Sequence, residues 1–365
     1  MAPYLPPIII QEILSRLDVK TLIRFKSVSK SFTNLISSPS FQELHNRRSQ
    51  RNLLFLFRST SPYYDEHADA TRRFVYQFVS VDNRGMVHSK FIARVDDPIK
   101  LVLPSCCGLV CFATNTRIYL CNPATRQLAP LPRYPYQQRT PISGFGFGYA
   151  GSVKGYKVVQ LVHRVIQPSI AHKIECSVFT IGFGGRVDNG WRVLKEGCPY
   201  FVEQFSYPVF IKETINWKIN RYHHRVLRRS NDYVVSFNVR EEKFFTITHP
   251  ADWRYIAQNS TQLADLGGML CMVEISASHI IVWMLRDHQK CLWEKRGLIN
   301  LAGIDRRLVG EIKCLNNGEI VFSSISNILL FYELKKKRFR HIPLPLRAFE
   351  TGIYWESFFS PRITH

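Results

Sequence analysis

One pattern, repeated along the chain, limits the fold more than any other feature. It is an apolar strand, a polar residue, an apolar residue, a polar turn and an apolar restart. Residues 119–128, 235–244 and 330–339 align on it, and the restarts run on to Leu131-Pro132, Ile247-Thr248 and Ile342-Pro343. Looser copies lie at 78–85, 178–191 and 282–293. Each copy reads as a β-hairpin closed by a tight turn. The matched turn-opening positions are 80, 122, 180, 238, 284 and 333, which lie 42 to 58 residues apart. A four-stranded propeller blade repeats at about 40–50 residues. Six copies therefore predict a mainly β chain whose larger part is a β-propeller of roughly six blades.

Residues 5–44 have a different texture, with helical periodicity in place of short alternation. Pro6 and Pro7 suit a first helical turn, which does not need their missing amide hydrogens. Ile9, Ile13 and Leu17 then fall four apart with Leu14 beside them, forming an apolar stripe. Asp18 follows as an N-cap. Leu22, Phe25, Val28, Phe32, Leu35 and Ile36 continue at three- and four-residue steps. Ser37-Ser38-Pro39 ends the run, because a residue before proline is pushed out of the helical region. The polar, basic stretch 45–52 reads as a linker between a helical unit, 1–44, and the β unit, 53–365. A helical piece this small cannot build a sufficient core alone. Part of its apolar surface must be covered, either by the chain's own β unit or by another protein, and periodicity leaves both open.

The 365 residues carry 49 lysines and arginines against 28 acids, a net charge of +21. Residues 1–50 hold seven of the basic and three of the acidic residues, so most of the excess belongs to the β unit. Such a balance permits an acidic partner, and a basic propeller that binds nucleic acid or another acidic partner is the alternative reading. A membrane role is not expected, since no run of 18 apolar residues occurs. The region 267–285 carries Glu274 and His279 and reads as two strands. No export signal opens the sequence. Its nine cysteines are then expected as reduced thiols, in the cytoplasm or nucleus.

The candidate chemical sites are weak. Cys106, Cys107, Cys111 and Cys121 lack the paired spacing of a zinc site and read as small buried hydrophobes. The run 144–148, Gly-Phe-Gly-Phe-Gly, precedes a strand and not a helix, so it does not predict a phosphate loop. Its alternation puts glycines on one face and aromatics on the other. His223 and His224 lie in an arginine-rich run, 221–229, that reads as a charged loop. Residues 335–338, three lysines and an arginine, occupy a repeat turn. No nucleophile–base constellation stands out. The expectation is no catalytic residue, no metal and no cofactor.

The helical motif resembles an F-box. Leu5-Pro6, then residues 12–17, 19–32 and 35–41, fall in that family's order and spacing. Departures are Pro7, where an acid is usual, Ser27 and Ser29, often cysteines, and Phe32, often tryptophan. The remainder resembles the plant F-box-associated, kelch-like domain. Residues 108–111, 122–126, 144–149, 156–159, Trp191-Arg192, 281–284, Trp293 and 354–358 occur in its order. The resemblance implies a substrate-recognition subunit of an SCF-type ubiquitin ligase. The F-box would dock on a SKP-family adaptor, which reaches cullin and RING subunits, and the C-terminal domain would hold a target protein. The residues implied for docking or for the F-box core are Leu5, Pro6, Ile9, Ile13, Leu14, Leu17, Leu22, Phe25, Val28, Phe32, Leu35 and Ile36. For the target, exposed aromatics are the candidates: Tyr134, Tyr136, Tyr222 and Trp253.

Overall fold

The computed structural model describes residues 5–49, 52–58, 74–81, 87–133, 142–151, 155–166, 171–182, 187–203, 207–220, 232–250, 260–314, 318–323, 328–343 and 350–361. Four helices open the chain: α1 (Pro7–Leu14), α2 (Val19–Lys26), α3 (Lys30–Ser37) and α4 (Pro39–Arg48). Side chains cap three of them. Asp18 accepts the Thr21 N–H at 2.8 Å, Ser29 that of Phe32 at 3.1 Å, and Ser38 that of Phe41 at 3.3 Å. Each cap satisfies an amide that a helix start leaves without a carbonyl.

Among the described residues the strands form six four-stranded sheets, matching the six repeat copies. Blade 1 contains β1 (Asn52–Arg58), β2 (Phe74–Val81) and β3 (Val87–Val95). Blade 2 is β4 (Leu101–Val102), β5 (Val110–Ala113), β6 (Ile118–Asn122) and β7 (Gln127–Pro130). Blade 3 is β8 (Ile142–Ala150), β9 (Gly155–Ile166), β10 (Ala171–Gly182) and β11 (Val187–Val193). Blade 4 is β12 (Val209–Ile211), β13 (Thr214–Lys218), β14 (Asp232–Asn238) and β15 (Lys243–Thr248). Blade 5 is β16 (Ser260–Asp265), β17 (Leu270–Ile275), β18 (His279–Asp287) and β19 (Leu292–Asn300). Blade 6 is β20 (Glu311–Cys314), β21 (Glu319–Ser323), β22 (Ile328–Glu333) and β23 (Arg338–Pro343). The last strand, β24 (Glu350–Tyr354), returns to blade 1 and pairs with β1, with Leu53 opposite Ile353. The two ends of the propeller are therefore held in one sheet.

A separate apolar layer fills each gap between neighbouring blades. Phe78 of blade 1 packs with Phe112 of blade 2, and Leu120 of blade 2 with Phe147 of blade 3. Val178 and Trp217 share one layer, Val234 and Met272 a second, and Val282 and Ile320 a third. Phe331 of blade 6 joins Val79 and Val81 of blade 1, which closes the ring. Burial of one large apolar side chain contributes about 1.5–3 kcal/mol, so the ring rests on six such layers and not on one central core. The glycine face of β8 shows how tight a layer is. A Cβ at Gly146 would stand 2.5 Å from Trp217 Cζ2, while Phe145 and Phe147 on the other face are buried. The Trp217 indole N–H donates to Phe145 O at 2.7 Å, clamping the two blades together.

The repeat is the hairpin joining the third and fourth strands of a blade. Asn122 Oδ1 accepts the N–H groups of Ala124 and Thr125, and Asn238 Oδ1 those of Arg240 and Glu241. Four residues beyond the opener the backbone turns left-handed, at Arg126, Glu242 and Lys337. Three openers differ from the sequence expectation, since β2 runs on past Ser80 to Val81 and β10 past Thr180 to Gly182. In blade 5 the turn opens at Asp287, not at Met284. Asp287 Oδ1 accepts the N–H groups of Gln289 and Lys290, and Cys291 takes the left-handed position. Strand β18 itself runs three positions beyond Met284, through Leu285 and Arg286 to Asp287.

The stretch 45–52, expected as a linker, is mostly ordered in elements. Residues 45–48 complete α4, and Asn52 opens β1. His45 follows the buried Phe41 by one helical turn and is itself buried. Arg47 and Arg48 then suit the negative end of the helix. Polarity there reflects a helix terminus against the propeller, not a free tether.

Candidate protein-docking site

The helices enclose a small core of Leu14, Leu22, Ile36 and Phe41. Leu17, Phe25, Phe32, Leu35 and Ile10 pack around it half-buried. The chain's other end contributes Phe358, so the helical unit closes its core only with help from the C-terminal segment. Around Phe358 the seat is specific. The His45 ring meets its edge at a centroid distance of 5.1 Å, and Lys26 Nζ stands 5.5 Å from its centroid. Glu356, itself buried, accepts the Val19 N–H at 3.0 Å. The Ser49 hydroxyl donates to Glu356 O at 3.0 Å, and the Trp355 indole to Asn46 Oδ1 at 2.9 Å.

Burial lowers the pKa of both His45 and Lys26. His45 Nε2 lies 2.8 Å from Leu17 O. A carbonyl only accepts, so Nε2 carries the proton of the neutral ring. Across α1, Glu12 bonds Arg16 at 2.9 Å and Arg48 at 2.8 Å. The hydrogen bonds from Arg16, then Arg48, hold its carboxyl below the usual range. These exposed pairs contribute little to stability.

Outside this seat the helical unit leaves large apolar side chains open. Leu5 is 52% exposed, Ile8 74%, Ile9 43%, Ile13 49%, Ile23 41% and Val28 64%. Ile9 and Ile13 lie one turn apart on α1. The residues proposed together from sequence thus separate by depth. Leu14, Leu22 and Ile36 are core, and Leu17, Phe25, Phe32 and Leu35 are half-buried. Leu5, Pro6, Ile9, Ile13 and Val28 reach solvent. Ile8 and Ile23 were missed. They fall off the apolar stripe, and large apolar residues beside a completed stripe are the signal that could have found them. An apolar face of this kind needs a partner surface, and among the described residues these side chains stay exposed.

The target candidates Tyr134, Tyr136, Tyr222 and Trp253 lie outside the described residues, as does the arginine-rich run 221–229. In the lysine turn at 335–338, the Glu333 carboxylate bonds Lys336 at 2.7 Å and Arg338 at 3.1 Å. Among the described residues no three His, Cys, Asp or Glu side chains gather as a metal site. Cys106, Cys111 and Cys121 are buried, and burial pushes their thiols up.

Comparison with known proteins matches both parts. The family model of the F-box associated beta propeller domain covers residues 51–351, and that of the F-box domain covers residues 3–44. The F-box protein At5g49610 of Arabidopsis thaliana is 25% identical over 92% of this chain and 90% of its own. The F-box/LRR-repeat/kelch-repeat protein At1g09650, also of Arabidopsis thaliana, is 26% identical over 82% of this chain and 78% of its own. Among solved structures, an oligogalacturonate lyase in complex with manganese is similar with a TM-score of 0.45, at 9% identity, over 80% of this chain and 78% of that one.

Proposed function

The chain belongs to the F-box proteins that carry an F-box associated beta propeller domain, and on that premise we propose that it recruits substrates to an SCF-type ubiquitin ligase. In this reading the helical face docks on a SKP-family adaptor, through which cullin and RING subunits are reached. The propeller holds the protein to be ubiquitinated. The observation that carries it is the open face: Leu5, Ile8, Ile9, Ile13, Ile23 and Val28 remain exposed after the helical unit has been seated on its own propeller. A specific interface buries about 1,200–2,000 Å² with a largely apolar centre, and these residues supply such a centre.

The division of labour asks for no catalytic group in this chain. The seat built by Glu356, Trp355 and Phe358 fixes the helices against the propeller, so an adaptor and a target bound at the two parts keep a defined separation. Proximity then converts an encounter between target lysine and thioester into a nearly intramolecular event. The reading places the protein in the cytoplasm or nucleus. Its test is co-purification of the full chain with a SKP-family adaptor. Ile9→Asp combined with Ile13→Asp should abolish the complex while the variant stays folded by circular dichroism. An adaptor complex that survives both substitutions overturns the docking assignment.

A further inference from the structure

One propeller side chain holds the segment on which the helices rest. Asn122 opens the turn of blade 2 and is fully buried. Its Oδ1 accepts the N–H groups of Ala124 at 3.0 Å and Thr125 at 3.3 Å, and the Tyr354 hydroxyl at 3.3 Å. Its Nδ2 donates to Ser357 O at 2.9 Å and to Phe359 O at 2.8 Å. A carbonyl only accepts, so the amide cannot be reversed, and both of its donors go to the C-terminal segment.

The turn itself does not ask for an amide nitrogen. In blade 4, the half-buried Asn238 closes the same turn with its Oδ1. In blade 5, Asp287 closes it with a carboxylate oxygen and has no N–H to give. The hairpin needs the acceptor, and the Nδ2 of Asn122 serves the segment beyond β24.

From Glu356 onward that segment alternates between the two parts of the molecule. Glu356 accepts the Val19 N–H of α2, and Phe358 packs into the helical core. Ser357 and Phe359 engage the blades. A Cβ at Gly108, in the turn between β4 and β5, would collide with the Ser357 side chain. The Phe359 ring lies in the layer between blades 2 and 3, at 4.4 Å from that of Tyr156. The two carbonyls that Asn122 holds therefore flank Phe358, the residue that closes the helical core.

We propose that Asn122 is a positioning residue of the assembly: by clamping the chain on both sides of Phe358 it fixes where the helical unit stands on the propeller. Loss of the clamp loosens the helices while the ring stays closed, because closure lies in the pairing of β24 with β1. This coupling is a property of the free chain. Its consequence, a set separation between adaptor and target, rests on the adaptor reading.

The test compares two variants of the full chain by hydrogen–deuterium exchange. Asn122→Asp keeps the turn acceptor and sets an oxygen against both carbonyls. Exchange in 355–361, α2 and α4 should quicken about tenfold or more, the size expected for two lost hydrogen bonds in a buried site, while blades 4 and 5 stay as slow as in the parent. Asn238→Asp makes the same change at a turn remote from the segment and should leave α2 and α4 unchanged. Should Asn122→Asp fail to fold, Asn122→Ser takes its place with the same expectation, since a hydroxyl can accept the turn amides but cannot donate to two carbonyls. Helices that keep the parent rate while 355–361 loosens overturn the positioning role. Equal quickening of α2 and α4 in Asn238→Asp assigns the effect to general destabilisation and overturns it as well. Adaptor capture by the unmutated chain is scored separately, so failure of the adaptor reading stays distinct from failure of the clamp.

Discussion

Glu356 accepts the backbone N–H of Val19 at 3.0 Å across 337 residues of sequence. The contact joins the first turn of α2 to the segment that follows the ring-closing strand. A carboxylate there satisfies an amide that has no helical partner and also faces the positive end of the helix. Removing it leaves a buried N–H without an acceptor, which costs about 1–3 kcal/mol. Glu356→Ala should lower the urea midpoint accordingly and raise amide exchange in α2. Glu356→Gln keeps an acceptor oxygen and should lose less. Equal losses for the two variants would mean that Val19 finds another acceptor.

Depth divides the helical residues into two classes with opposite expected behaviour. Leu14 is 4% exposed and packs with Leu22, Ile36 and Phe41. Truncation of such a leucine costs about 2–5 kcal/mol in lost transfer energy and cavity formation. Leu14→Ala should therefore melt the helical unit, with adaptor binding lost as a consequence of unfolding. Ile13→Ala, at an exposed position one residue earlier, should change stability by about 0.5 kcal/mol or less while still weakening the adaptor complex. Paired thermal melts and pull-downs separate the two classes.

The third prediction tests the glycine face of blade 3. A methyl group at Gly146 would meet Trp217 Cζ2 at 2.5 Å and Ile215 Cγ2 at 2.8 Å. Both neighbours are buried, and Trp217 is pinned through its indole N–H to Phe145 O. The blade interface can yield only by separating, and overpacking of this kind costs about 1–3 kcal/mol. Gly146→Ala should lower the melting temperature without affecting adaptor pull-down. A variant as stable as the parent would show that blades 3 and 4 can slide apart freely.

The propeller was legible because its signal is local. Asn122 and Asn238 announce their turns within a few residues, and the alternation of 144–148 states which face is small. The slip at blade 5 has the same origin: Met284 sits where a polar opener was sought, and two more residues of strand, Leu285 and Arg286, precede Asp287. The helical unit was less legible. Periodicity marks Leu14 and Ile13 alike as apolar, and only the packing of Phe358 decides which side is closed. That contact joins residues more than 300 positions apart, so no window of sequence contains it. Residues 45–48 were misread for the same reason, since Asn46 and Ser49 find their partners in Trp355 and Glu356.

The seat should also respond to pH through His45. Its ring is buried against Phe358 and bonded to Leu17 O, and burial lowers its pKa below the ordinary 6.5, with the Leu17 carbonyl and Asp18 opposing in part. The folded state therefore holds the neutral ring, while the unfolded chain takes up a proton near the ordinary value. Below that value the unfolded state binds more protons, so stability falls as pH falls. The contribution is fully present above about pH 6.5, is lost progressively as pH drops toward the folded pKa, and levels off below it. Urea midpoints at intervals from neutral to mildly acidic pH would show this decline. His45→Gln can keep the donor to Leu17 O and has no ring to protonate, so its midpoint should decline less over the same interval. Parallel declines in the two proteins would assign the pH dependence to groups other than His45.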